Sequence, residues 1–219
     1  MTATQATPWK LGILLSGAGR TLENLLMAID RGKLNATVAV VIGSVAEARG
    51  LEIARIAGIP HCVVARGSFG SLDDFSAATY AALEPHSVDL IAMAGYLRKM
   101  LVRPDWEGRI LNIHPCLLPE AGAYAAGKGK FGERVHAAVI ANGDTVTGAT
   151  VHVVTNDYDE GPPLARVEVP VILGDTPVTL GSRVFQAEKT LYPATIQTYI
   201  DHHPELRRRT KVLSKQSVQ

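Results

Sequence analysis

Short β-branched and apolar runs alternate with longer amphipathic stretches along most of this 219-residue chain. In the first amphipathic stretch, Leu22, Leu25, Leu26 and Ile29 recur at the spacing of one helix face. Strands that alternate with helices form crossover units, whose strands lie parallel in one sheet. The pattern therefore predicts an α/β fold with a mostly parallel, twisted sheet and helices on both faces.

Turn-forming residues between these runs set the element boundaries. The predicted strands are residues 11–15, 37–42, 61–64, 89–94, 109–113, 150–155 and 165–171. The predicted helices are residues 21–29, 46–57, 72–83, 134–141 and 179–200. Pro193 predicts a break in the last helix, because proline lacks the N–H that a helix interior needs. We predict one domain at residues 11–200, an N-terminal extension at residues 1–10 and a C-terminal tail at residues 201–219.

The charge balance argues against binding to nucleic acid or to a membrane. The formal net charge is +1, so no strong field selects an anionic partner, and the run from Arg207 to Arg209 is interpreted as a solvated tail. Cys62 and Cys116 are too few for a disulfide framework and indicate a reducing compartment. The chain has no signal-peptide pattern and no apolar run near the ~18 residues of a membrane span, so we predict a cytoplasmic protein.

Residues 16–21 form a glycine loop, Ser-Gly-Ala-Gly-Arg-Thr, between the first predicted strand and helix. Two glycines allow close approach of an anion, the helix N-terminus offers unpaired N–H groups, and Arg20 and Thr21 add side-chain donors. The alternative is that Gly17 and Gly19 only form a tight turn. The loop is not a dinucleotide fingerprint, since the third glycine would fall at Leu22, and no Gly-Lys-Ser/Thr follows to make a P-loop.

A second candidate site lies at the end of the fifth predicted strand. In an extended segment Asn112 and His114 project to the same side, while Ile113 faces away. Pro115 ends the strand there, so an amide and an imidazole meet where open α/β sheets bind ligands. The alternative is a buried histidine whose hydrogen bonds are satisfied by the backbone.

A third candidate combines His152, on a valine-rich strand, with the acidic loop that follows it. Asp157, Asp159 and Glu160 compete for any role in that loop, and spacing alone does not choose among them. A metal site built from His114, His152 and Asp159 is less favoured, because the chain has no His-x-x-x-His pair and no Cys/His cluster. His152 is interpreted as a supporting residue.

Three segments of this chain resemble a known family. Residues 111–119, Leu-Asn-Ile-His-Pro-Cys-Leu-Leu-Pro, are similar to the Asn-Ile-His-Pro-Ser-Leu-Leu-Pro signature of folate-dependent formyltransferases, with Cys116 at the usual Ser. The glycine loop resembles the phosphate loop of the phosphoribosylglycinamide formyltransferases within that family. Residues 187–193, Ala-Glu-Lys-Thr-Leu-Tyr-Pro, resemble their Glu-bearing C-terminal helix. The resemblance covers residues 11–200, nearly the whole chain.

The resemblance implies a Rossmann-like formyltransferase fold and transfer of formyl from 10-formyltetrahydrofolate to 5-phosphoribosylglycinamide, a step of de novo purine synthesis. The catalytic residues it implies are Asn112, His114 and Asp159, with His152 in support. It implies that Gly19, Arg20 and Thr21 hold the substrate phosphate and that Glu188 binds the ribose. The segment implied to hold the pterin of the formyl donor is Leu97, Arg98, Lys99 and Met100, together with Asn112. No metal is implied, and family members occur as monomers and homodimers, of which we favour the dimer.

The chain departs from the family pattern at three places. Leu72 stands near the position of a family Arg, for which Arg66 is a candidate replacement. Glu120 replaces a Lys or Ser, and the Gly- and Ala-rich residues 119–132 form a longer loop, the 119–132 loop, which we predict to be a mobile surface loop. These departures put contacts of the loops in question rather than the catalytic trio.

Several alternative functions use the same trio. A formyltetrahydrofolate hydrolase would use water as acceptor, but the resembling hydrolases carry an extra N-terminal domain. A methionyl-tRNA formyltransferase would need a C-terminal tRNA-binding domain, and a sugar-nucleotide formyltransferase would not need this glycine loop. A folate-binding protein without transferase activity is the alternative from a different class.

Overall fold

The computed structural model describes residues 7–127, 129 and 131–207. Within them the strands are β1 (Trp9–Leu15), β2 (Ala36–Gly43), β3 (His61–Val63), β4 (Leu90–Met93), β5 (Ile110–His114), β6 (Val146–Val153) and β7 (Pro163–Pro170). The α-helices are α1 (Arg20–Asp30), α2 (Arg49–Ile56), α3 (Leu72–Leu83), α4 (Gly122–Ala125), α5 (Glu133–Asn142) and α6 (Pro177–His202). Every predicted strand and helix is present, with ends that differ by a few residues, whereas the short helix α4 is an addition.

The strands form one seven-stranded sheet in the order β3-β2-β1-β4-β5-β6-β7. Strands β1 to β5 pair in parallel, and β6 pairs antiparallel with both β5 and β7. The chain winds outward from β1 to β3 and then returns to place β4 on the other side of β1. This reversal opens a crevice at the carboxyl ends of β1 and β4, where α/β sheets bind ligands.

The core is divided by the sheet into two hydrophobic clusters. One cluster packs α1, α2, α5 and α6 against the sheet, with Leu22 and Leu25 of α1 fully buried. The other packs α3 on the opposite face, where Phe75 and Tyr80 are fully buried. The predicted α/β fold, with a mostly parallel sheet and helices on both faces, is confirmed.

Helix α6 runs through Pro193 without interruption, so the predicted break is wrong. Proline cannot donate to the carbonyl four residues earlier, which belongs to Lys189. Asn24 of α1 replaces the missing donor, because its Nδ2 donates to that carbonyl at 2.9 Å. The helix continues because a side chain from a neighbouring helix satisfies the carbonyl that proline leaves open.

The two ends of the described chain meet at the amino ends of the parallel strands. The Arg207 guanidinium donates to the carbonyls of Thr7 and Pro8 and lies 5.8 Å from the centroid of the Trp9 ring. Because β1 begins at Trp9, this meeting point lies where the parallel strands start, opposite the crevice.

The division into extension, domain and tail remains a prediction. Residue 201, where the tail was predicted to begin, lies within α6. Residues 1–6 and 208–219, which include Arg208 and Arg209, lie outside the described residues. No helix in the described part of the chain is both long and apolar enough to cross a membrane.

Candidate active site

A cavity of about 350 Å³ opens at the carboxyl ends of β1, β4 and β5. It is lined by the glycine loop, the segment after β4, the end of β5, the acidic loop before β7, the 119–132 loop and one face of α6. The cavity contains most of the predicted site residues: Gly19, Arg20, Thr21, Leu97, Arg98, Asn112, His114, Asp159 and Glu188. These predicted site residues come from five separate segments and are gathered around one space.

The glycine loop is fixed by close backbone packing at the first turn of α1. Gly19 has a φ of +78°, and a Cβ at this position would lie 2.6 Å from the Cα of Gly50. The Gly50 N–H donates to the Gly17 carbonyl at 3.1 Å. Ser16 Oγ accepts from the Leu97 N–H at 2.8 Å, which ties this loop to the segment after β4. The tight-turn interpretation is thus correct for Gly19, and the same turn also lines the cavity.

Asn112 and His152 face each other across the β5–β6 pair. Asn112 Nδ2 lies 3.1 Å from His152 Nε2, and His152 Nδ1 lies 3.1 Å from the Val153 carbonyl. Because a carbonyl only accepts, Nδ1 carries the proton and Nε2 accepts from Asn112. Burial lowers the pKa of His152, which keeps this neutral form. His152 therefore fixes the Asn112 amide with one N–H bound and the second available to a ligand.

Asp159 lies between the two histidines. Its Oδ1 is 3.7 Å from His114 Nδ1 and 3.8 Å from His152 Nε2. Asp159 adopts a φ of +55°, a left-handed conformation that Asp tolerates better than most residues. The neighbouring Asp157 and Glu160 are exposed, so Asp159 is the acid of this loop that the fold directs to the histidines.

The 119–132 loop contacts both ionisable members of the trio. His114 Nε2 lies 3.0 Å from the carbonyl of Ala125, at the end of α4. The Gly127 N–H donates to Asp159 Oδ2 at 3.0 Å. Lys128 and Lys130 of this loop lie outside the described residues.

A smaller pocket of about 60 Å³ adjoins the cavity and receives the rest of the predicted pterin segment. Arg98, Lys99 and Met100 line it, together with Asn112 and Asp159, which also line the larger cavity. Lys99 and Tyr158, which both line this pocket, approach each other, with the Lys99 ammonium 5.2 Å from the Tyr158 ring centroid. Beside the pocket, the Val102 N–H donates to Asn156 Oδ1 at 2.8 Å.

Glu188 and Arg20 form the far end of the cavity. Burial raises the pKa of Glu188 to about 7, against the opposing effect of the Arg20 charge. The Arg20 guanidinium lies 4.3 Å from the centroid of the Phe185 ring, one turn before Glu188 on α6. A carboxylate and a guanidinium are thus presented to the same space as the glycine loop.

The chain matches the formyl transferase family over residues 9–196. It belongs to this family. The family transfers formyl groups, which implies a folate-derived formyl donor and small-molecule substrates.

Individual relatives narrow the resemblance. The chain is 38% identical over 196 residues to the trifunctional purine biosynthetic protein adenosine-3 of Gallus gallus. The aligned region covers 88% of this chain and 18% of that protein. It is 32% identical to phosphoribosylglycinamide formyltransferase of Escherichia coli (strain K12), with 86% of each chain covered. The structure is similar to glycinamide ribonucleotide transformylase 1 from Symbiobacterium toebii, with a TM-score of 0.80, 36% identity and 91% of each chain covered. The chain therefore spans under a fifth of the trifunctional relative and most of the other two.

The lining of the cavity includes a histidine that was not predicted as a site residue. His136 of α5 is buried and lines the cavity, and its Nδ1 has no hydrogen-bond partner among the described residues. Burial, and then the nearby His114, lower the pKa of His136 to about 4, so the imidazole stays neutral. A Cβ on Gly181 of α6 would lie 2.7 Å from its ring, so Gly181 makes room for it. The only sequence signal is a histidine within an apolar helix, which is typical of a core position.

The departures from the family pattern have local explanations. Arg66 Nη1 donates to the Phe69 carbonyl at 2.7 Å, and neither Arg66 nor Leu72 lines the cavity, so Arg66 is not a replacement within this cavity. Burial raises the pKa of the Cys116 thiol to about 12, so the residue at the usual Ser position stays protonated.

Among the described residues, no group of three or more His, Cys, Asp or Glu side chains is arranged to hold a metal ion.

Proposed function

We propose that this chain transfers the formyl group of 10-formyltetrahydrofolate to the amine of 5-phosphoribosylglycinamide, a reaction of purine biosynthesis. One observation carries the proposal: the glycine loop, the Asn112-His114-Asp159 trio and Glu188 all line one cavity. The names of the Escherichia coli and Symbiobacterium toebii proteins support the same activity.

The two pockets suggest how the substrates divide the space. Backbone N–H groups at Gly19 and the start of α1, with Arg20 and Thr21, would hold the phosphate. Glu188 would accept hydrogen bonds from the ribose hydroxyls. The donor's pterin would occupy the side pocket along residues 97–100. Since Asn112 and Asp159 line both pockets, the amine and the formyl carbon would meet beside them.

In the proposed reaction the amine attacks the formyl carbon, and negative charge develops on the formyl oxygen. The free N–H of Asn112 and the Nδ1–H of a protonated His114 would donate to this oxygen, since His114 Nε2 faces the Ala125 carbonyl. Each such donor typically changes the rate by about 10²–10³. Collapse of the intermediate breaks the bond between the formyl carbon and N10 of the folate, which leaves as tetrahydrofolate after it takes up a proton.

Asp159 would serve the proton transfers of this reaction. Its Oδ1, 3.7 Å from His114 Nδ1, stabilises the imidazolium and accepts the amine proton, directly or through water. General acid–base assistance of this type typically contributes about 10²–10⁴ in rate.

A spectrophotometric assay with 10-formyltetrahydrofolate, run with and without 5-phosphoribosylglycinamide, tests the function. Tetrahydrofolate that forms only with the ribonucleotide supports the proposal. Equal product without it indicates a hydrolase, and no product under either condition indicates a folate-binding protein or another acceptor. The homodimer and the cytoplasmic location stay predictions, the first of which sedimentation analysis can test.

A further inference from the structure

Among the described residues of the 119–132 loop, two main-chain groups contact the ionisable members of the trio, the Ala125 carbonyl and the Gly127 amide. We infer that the Ala125 carbonyl and the Gly127 amide are positioning groups that fix which nitrogen of His114 and which oxygen of Asp159 take part in the proposed proton transfers. The inference rests on the proposed formyl transfer for its kinetic consequences, but its structural part does not.

The Ala125 carbonyl determines the protonation pattern of His114. It lies 3.0 Å from Nε2, and a carbonyl can only accept, so Nε2 carries a hydrogen in every protonation state that keeps this bond. Cys116 Sγ approaches the same carbonyl at 4.0 Å. Nδ1 is left as the nitrogen that gains and loses the proton, and this nitrogen faces Asp159 Oδ1 at 3.7 Å.

The Gly127 amide assigns different roles to the two carboxylate oxygens of Asp159. Its N–H donates to Oδ2 at 3.0 Å, which leaves Oδ1 to face the two histidines. Gly127 has a φ of +91°, a conformation that L side chains rarely adopt, although a Cβ there would meet no atom within 4 Å. Glycine at 127 therefore serves the backbone conformation and not the packing.

The loop is fixed by side chains outside the trio. Arg166 of β7 donates to the Leu118 carbonyl at 3.1 Å and pairs with Glu120 at 2.6 Å. The Tyr124 hydroxyl donates to Asp144. These anchors hold the backbone groups of α4 and Gly127 in register with β5, so a shift of the loop would release His114 and Asp159 together.

Gly127→Ala and Gly122→Ala form a matched pair within the same loop. The alanine at 127 opposes the backbone conformation, whereas a Cβ at 122 would make only an ordinary 4.0 Å contact with Leu118. We expect Gly127→Ala to lower kcat about 10- to 100-fold, with each KM within about threefold.

Gly122→Ala should keep kcat within about twofold of the wild type. Wild-type kcat in Gly127→Ala would overturn the inference, and so would an equal loss of kcat in both variants. Thermal melting of both variants checks that the comparison is made between folded proteins.

The ¹⁵N spectrum of the His114 imidazole in the wild type tests the inference without any variant or substrate. For the neutral imidazole we expect the tautomer with the hydrogen on Nε2, the nitrogen that faces the Ala125 carbonyl. The tautomer with the hydrogen on Nδ1 would overturn the inference. An inactive wild type with the Nε2 tautomer would instead refute the proposed function and leave the positioning by the loop intact.

Discussion

Two glycine-containing loops border the cavity, and they are supported in different ways. The glycine loop at residues 16–21 is held by backbone packing, since a Cβ at Gly19 would lie 2.6 Å from Gly50. In the 119–132 loop, a Cβ at Gly127, Gly129 or Gly132 would meet no atom within 4 Å, although each has a positive φ. In the glycine loop, position 19 needs glycine both for space and for its backbone conformation. In the 119–132 loop, the three positions need glycine for the backbone conformation alone.

Because of this difference, we expect substitutions in the two loops to affect stability and catalysis differently. A change in the glycine loop should damage the fold and the phosphate site together, because the same backbone serves both. A change in the 119–132 loop should leave the core intact and alter the two ionisable groups that it contacts. The variants below test this division, beginning with the largest expected effect.

Asp159→Asn should lower kcat by about 10²–10⁴, since the general base is lost. Its melting temperature should stay near that of the wild type, because asparagine keeps the shape of the side chain and tolerates its positive φ. Steady-state kinetics measures the change in kcat, and thermal melting measures the change in melting temperature. Near-normal turnover would remove Asp159, and with it the contact from Gly127, from the mechanism.

Gly19→Ala should lower stability by about 1–3 kcal/mol, or roughly 2–12 °C in Tm, because the new methyl group overlaps Gly50. It should also raise KM for the ribonucleotide. Gly17→Ala is the matched control, since a Cβ at Gly17 would meet no atom within 4 Å. If both variants melted alike, the packing argument for the glycine loop would be incorrect.

Glu188→Gln should have opposite effects on stability and on binding. The pKa of about 7 in the folded state exceeds the usual ~4.3, so wild-type stability falls as pH rises between these values. At pH values above about 7 the variant should therefore melt higher than the wild type, with no gain below about pH 4. Its KM for the ribonucleotide should rise. Melting curves across this range test the sign, and an equal Tm at alkaline pH would mean that the carboxylate is well solvated.

Asn24→Ala should cost about 0.5–1.5 kcal/mol, because the Lys189 carbonyl loses its donor. Neither cavity-lining loop is altered, so kcat should be unchanged. In a Pro193→Ala background a backbone N–H returns to that carbonyl, and Asn24→Ala should then cost less. A double-mutant cycle by thermal melting measures the coupling, and strict additivity would show that the proline is not what makes Asn24 important.

The fold could be predicted because its determinants are local patterns. Residues Leu22 and Leu25 lie on the buried face of α1, as their spacing indicates, and the strand ends at Leu15 and His114 follow the turn signals. The break at Pro193 was wrong because the compensating donor, Asn24, lies 165 positions away from Lys189. Long-range compensation of this type leaves no mark in a local pattern.

The candidate site was predictable only in part. Asn112 and His114, which the two-residue period of a strand places on one side, both line the cavity. Spacing did not choose among the three acids of the loop that contains Asp159. The φ of +55° at Asp159 and its contact with Gly127 make that choice, and both depend on tertiary structure. Ala125 acts through its carbonyl, which every residue type shares. His136 resembled a core residue because it is one, although it also lines the cavity.

The contact of Arg207 with Thr7 and Pro8 makes this architecture suitable for circular permutation. A version trimmed to residues 7–207 could be closed by a short linker, because its two ends lie within reach of one arginine side chain, at the amino ends of the parallel strands and remote from the cavity. New ends could be opened in the exposed turn at Gly32, between α1 and β2. We therefore expect a permuted chain, with its segments in a different order, to keep the same arrangement of residues around the cavity.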